Sequence, residues 1–107
     1  MGKREPFSVV YDRTVKMHLR SIESRYHSLI RAEIEGQLTH EPDVETRNRK
    51  PLLRETELEV DWELRFGPDN RFRVFYGIDP EQRQVFILAI GVKRGSRLFI
   101  GGEEIKL

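Results

Sequence analysis

The sequence contains no cysteine. Disulfides, thiolate nucleophiles and zinc sites built on cysteine are therefore excluded, and the lack is compatible with a reducing compartment. Long apolar runs are also missing. The longest, Val85 to Val92, is far short of the roughly 20 residues that a membrane-spanning helix needs. The short N-terminal run ending at Tyr11 meets Asp12 at once and does not read as a secretory signal. Nor is there an excess of one charge: Lys plus Arg is 19, Asp plus Glu is 18, and the net charge is +1. A strongly basic protein that coats nucleic acid is excluded, but a basic patch balanced by acid elsewhere is not, because net charge says nothing about distribution. No Walker or Rossmann glycine pattern occurs, and Gly101-Gly102 is too short for a phosphate loop. His18, His27 and His40 do not form a metal-ligand spacing. The expectation is a soluble intracellular domain, cytoplasmic by default, with no membrane association.

What is present is one domain's worth of chain, residues 1–107, with six Phe, three Tyr and one Trp among 35% charged residues. Phe7 to Tyr11 reads as a first strand, and Asp12 stands where a helix would be capped. Val15, Leu19 and Ile22 recur at helical spacing. Tyr26, Leu29, Ile30, Ile34 and Leu38 continue an amphipathic stripe, with a break near Ser21 to Ser24, and Pro42 ends the second helix. Glu41 to Arg54 reads as an irregular connection carrying Arg47, Arg49, Lys50 and Arg54.

The clearest signal follows. Leu58, Val60, Trp62, Leu64 and Phe66 alternate with charged residues, the pattern of a strand with one buried and one wet face. Phe72, Val74, Tyr76 and Ile78 resume the alternation after Gly67-Pro68-Asp69-Asn70. Val85 to Val92 is apolar on both faces, as a central strand is. Arg97 to Ile100 has room for a short last strand before a polar tail. The expected architecture is α+β, in the order β-α-α-β-β-β with that further short strand. Tight turns make the late strands antiparallel, and the helices cover one face only.

The pleat then decides what the uncovered face carries. With Trp62 and Leu64 facing the helices, Glu63 and Arg65 face away; with Val74 and Tyr76 facing in, Arg73 and Phe75 face away. Lys93, Arg94 and Arg97 lie just past the central strand. Between Glu63 and Arg97 seven basic residues stand against four acidic ones, and three of the acids sit in turns. Guanidinium groups on a rigid sheet suit a phosphodiester, because Arg presents planar, bidentate donors and stays charged. Phe75 and Phe99 are candidates to stack on bases. The plainer alternative is a solvated sheet face whose cations pair with nearby acids.

Trp62-Glu63-Leu64-Arg65-Phe66 followed by Arg73-Val74-Phe75-Tyr76 resembles the RelE/ParE superfamily of bacterial toxins. Val9-Val10-Tyr11 with its helical hairpin, Arg47-Asn48-Arg49-Lys50-Pro51-Leu52 and Ala89-Ile90-Gly91-Val92-Lys93 fit the same pattern, so the resemblance covers nearly the whole chain. It implies the toxin of a type II toxin-antitoxin module. RelE-like members cut mRNA in the ribosomal A site without metal or cofactor, by attack of an RNA 2′-hydroxyl on its own phosphate. ParE-like members instead inhibit DNA gyrase, and a homologue that has lost activity would act by protein binding alone.

By the resemblance Arg73 falls on the family's characteristic active-site arginine. Arg65 falls on a phosphate-contacting position and Lys93 near a basic position after the central strand. Glu63 sits where a RelE-type enzyme has lysine and is the candidate general base. Phe99 falls close to the slot of a catalytic tyrosine. Arg47, Arg49, Lys50, Phe75, Arg94, Arg97 and Phe99 are the expected RNA contacts. The implied partners are a cognate antitoxin, the ribosome and mRNA.

Overall fold

The computed structural model describes residues 5–52 and 61–106. Two helices lie between an N-terminal strand and a run of sheet strands, as the hydrophobic periods require. Strand β1 is Ser8–Tyr11, helix α1 is Val15–Arg20 and helix α2 is His27–Leu38, with a single 3₁₀ turn at Ser24–Tyr26 where the break was expected. Then come β2 (Arg49–Pro51), β3 (Trp62–Phe66), β4 (Phe72–Asp79), β5 (Gln84–Arg94), β6 (Arg97–Ile100) and β7 (Glu103–Ile105). Two of these correct the sequence reading. Residues 49–51, expected to be irregular, form an edge strand on β3, and the expected polar tail turns at Gly101-Gly102 and adds β7. The first residues of the long alternating segment, Leu58 to Val60, lie outside the described residues.

The sheet runs β2-β3-β4-β5-β6-β7 with antiparallel neighbours, and β1 joins it parallel to the first half of β5. Along one edge β5 therefore meets β1 at residues 84–87 and β6 at residues 91–94. The helices pack on one face, where Ile30, Ile34, Leu38, Leu64, Val74, Tyr76, Val85, Ile87 and Ile90 form the main core. A smaller cluster of Phe75, Ala89, Leu98 and Ile100 lies on the other face, so β5 is apolar on both sides because it has packing on both sides.

A register shift in the β4–β5 ladder changes which residues of β5 share a face. Tyr76 pairs with Ile87 but Phe75 pairs with Ala89, leaving Leu88 as the extra residue of a bulge. Without it, residues 89, 91 and 93 would continue the helix-facing series of Val85 and Ile87. With it, Ile90 and Val92 face the helices, and Gly91 and Lys93 turn to the opposite face.

Between β1 and β6 the amide of Ile90 looks into a gap in the sheet edge, and α1 fills it: Ile90 N donates to His18 Nδ1 at 3.3 Å. Desolvation holds the His18 pKa below the ordinary histidine value, with Asp12 opposing in part. Protonation would remove this acceptor. A depressed folded-state pKa contributes stability that is full above the unfolded value of about 6.5 and is lost as pH falls toward the folded one. Thermal melts between about pH 8 and about pH 5 should show this loss in the wild type and a flatter profile in His18→Asn. Parallel profiles would refute the coupling.

Candidate nucleic-acid interface

The expected grouping on the uncovered face is present. In the ladder of β3 and β4, Glu63 stands opposite Phe75, and Arg65 stands opposite Arg73. Glu63 is only 4% exposed, and its two oxygens are shared between the arginines: Arg65 Nε donates to Oε1 at 2.7 Å and Arg73 Nη1 to Oε2 at 3.2 Å. Arg73 is held a second time, its Nε donating to the carbonyl of Asn70 at 2.9 Å.

That carbonyl belongs to the β3–β4 turn, whose shape follows from its residues. Gly67 has φ 83° and ψ −176°, a conformation essentially confined to glycine, and a Cβ there would meet the Phe72 ring at 2.4 Å. Asp69 and Asn70 follow with φ of 55° and 50°, in the left-handed region that these two residue types tolerate better than most. The turn that reverses the chain thus also aims Arg73.

The arginine face continues into a cleft of about 660 Å³ at the end of the sheet. Arg71, Arg73, Lys93 and Arg94 contribute its cations, and Glu23 and Asp69 its acids. The helical corner supplies Ser21, Ile22 and Tyr26. The Tyr26 ring packs on Phe72 with centroids 5.1 Å apart. Lys93 N donates to the Arg71 carbonyl at 2.7 Å, which ties the two basic strand ends together.

No protein-family profile matches the sequence, and no curated protein matches it. Among solved structures, a chain of the RelBE2 toxin-antitoxin complex from Mycobacterium tuberculosis superposes with a TM-score of 0.69 at 29% identity, covering 87% of this chain and 98% of that chain. The chain is RelE/ParE-like. Its helical hairpin and antiparallel sheet are those of the resemblance read from the sequence.

Within the RelE/ParE-like domain the expected site residues divide. Arg65, Arg73 and Glu63 share one network, and Arg73, Lys93 and Arg94 share the cleft. Lys50 stands opposite Glu63 on β2 and lies 3.4 Å from Glu45. Arg47 is exposed on the connection before β2. Arg97 is exposed at the sheet end, 4.0 Å from Glu104.

Four expectations need correction. Phe75 is 1% exposed and packed with Ala89, Leu98 and Ile100, so it offers no ring face to a base. Arg49 is 7% exposed and points toward the helices, where Nη1 donates to the Gln37 carbonyl at 2.9 Å and Nε to the Val44 carbonyl at 3.0 Å. It is a structural residue. Phe99 pairs with Val92 on the helix-facing side of the sheet, in a recess it shares with Ser21, Arg94 and Gly102, and the Arg94 guanidinium lies 5.7 Å over its ring. The sheet separates it from the Arg65–Glu63–Arg73 network. The buried carboxylate of Glu63 is committed to two guanidinium groups, which leaves it poorly placed to take a proton from a substrate.

Sequence reasoning missed Arg71 and Tyr26. Arg71 precedes the alternating part of β4 and has no pleat position to mark it. By its spacing Tyr26 is one more core residue of the helical stripe, but it lies at the corner between the helices and lines the cleft.

Proposed function

We propose that this domain is the toxin of a type II toxin-antitoxin pair, held in check by a cognate antitoxin protein, and that it cuts ribosome-bound mRNA in the cytoplasm. The observation that carries this reading is Arg73. It is clamped by Asn70 and Glu63 and borders both the arginine face and the basic cleft, and by the sequence resemblance it falls on the family's characteristic arginine position. Attack of a 2′-hydroxyl on its own phosphate builds negative charge on the phosphate oxygens, and fixed cations stabilise that charge without reorganising. Arg73 is that fixed cation on the sheet, Arg65 adds a neighbouring guanidinium, and Lys93 positions the phosphate from the end of β5. Tyr26 is the hydroxyl-bearing aromatic that lines the cleft, and it is the residue best placed to assist a departing 5′-oxygen.

A second reading, inhibition of DNA gyrase as in the ParE branch, is favoured by the acid that neutralises the arginine pair and by the position of Phe99. Induced expression in bacteria, with mapping of mRNA 5′ ends, separates the two. The expected result is cleavage within codons of translated messages, relieved by the antitoxin encoded beside the gene. DNA breaks with an SOS response and intact messages would establish the gyrase reading instead. Absence of any phenotype would leave a protein-binding homologue.

A further inference from the structure

We propose that Glu63 is an internal occupant of the phosphate site, an acid that an incoming phosphodiester must displace from Arg65. The inference rests on the reading that these arginines receive phosphate.

A buried carboxylate is costly unless it is paired, and Glu63 is paired at both oxygens. Carboxylate and phosphate are alternative acceptors for the same guanidinium donors. With its side chain 6% exposed, Glu63 sits between two arginines that are themselves 40% and 12% exposed in their side chains. The three groups together carry a net single positive charge rather than two. The arrangement is also asymmetric. Arg73 is anchored by Asn70, whereas Arg65 is the more exposed partner and is held to the acid through its Nε. Arg65 is thus the group that can turn from Glu63 to a phosphate while Arg73 stays in place.

The consequence is selectivity by presentation. A free RNA strand must replace an intramolecular partner already at high effective concentration. A message held in place by a larger assembly competes on better terms. Glu63 therefore weakens binding to free RNA, and removing its charge should strengthen it.

The test is binding of a short single-stranded RNA, followed by fluorescence anisotropy across a salt series, for wild type, Glu63→Gln and Arg73→Ala. Glu63→Gln should bind several-fold more tightly. Its slope of log affinity against log salt should steepen by about 0.7, the value for one further phosphate neutralised on a single strand. Equal or weaker binding with an unchanged slope would overturn the proposal. If Arg73→Ala binds as tightly as wild type, the phosphate reading itself fails and the proposal with it. If Arg73→Ala weakens binding while Glu63→Gln does not strengthen it, only the role of Glu63 fails.

Because Glu63 is buried, a second measurement uses the wild-type protein. Inorganic phosphate is added while the Arg65 and Arg73 Nε–H signals are followed by NMR. The Arg65 signal should move as its bond to Glu63 is exchanged. An Arg65 signal that stays fixed while those of Arg73 shift would overturn the displacement.

Discussion

On the proposed nuclease function, replacing Arg73 by alanine should lower mRNA cleavage by at least about 100-fold, the usual effect of deleting one preorganised donor at a developing oxyanion. The side chain is fixed at two atoms, by the Asn70 carbonyl and by Glu63, so its contribution is made before substrate arrives. Arg73→Lys keeps the charge but loses the planar fork that reaches Asn70 and Glu63 together, and it should recover only a fraction of the activity. Growth after induction and primer-extension mapping of cleavage sites give the readout, with circular dichroism melts to establish that the variants fold. Full toxicity in a folded Arg73→Ala protein would remove Arg73 from the site.

The second large effect concerns stability. Arg49→Met should cost about 2–4 kcal/mol, because it leaves three half-buried acceptors without their charged donor. The last turn of α2 carries no basic residue of its own. Arg49 reaches it from β2, donating Nη1 to the Gln37 carbonyl and to Gln37 Oε1 and placing a cation at the negative end of the helix. Its Nε holds the Val44 carbonyl in the following connection. The same connection is held from the sheet by Tyr76, whose hydroxyl donates to the Pro42 carbonyl at 2.7 Å. For a domain of this size the loss corresponds to a Tm lower by about 10–20 °C. A shift within about 2 °C would show that Arg49 is dispensable to the fold.

How far the sequence reveals this molecule depends on whether a feature is local. The period-two pattern of Trp62 to Phe66 and Phe72 to Ile78 follows from the pleat, and it correctly places Glu63, Arg65 and Arg73 together. The same rule fails at β5, where the bulge at Leu88 inverts the faces, and a run of apolar residues gives no sign of it. Lys93 turns to the arginine face for that reason alone. Parity also places Phe75 on the correct face, but it cannot show that a second apolar cluster buries the ring. Arg49 has the composition of a nucleic-acid contact. Only the tertiary arrangement of β2 beneath the end of α2 turns it inward.

The parallel seat of β1 beside β5 has a consequence for how the chain is made. Residues 8–11 leave the ribosome before the other described strands, yet their partners at 84–87 are synthesised more than 70 residues later. Such distant pairings form late, because the intervening chain must first be closed into a loop. The two strands that carry Arg65 and Arg73 can pair with one another as they appear, but α1 and α2 have no finished sheet to cover until β5 is out. A nascent chain of this protein therefore carries its basic residues on an incomplete fold until β5 has been made, and only then can β1 dock.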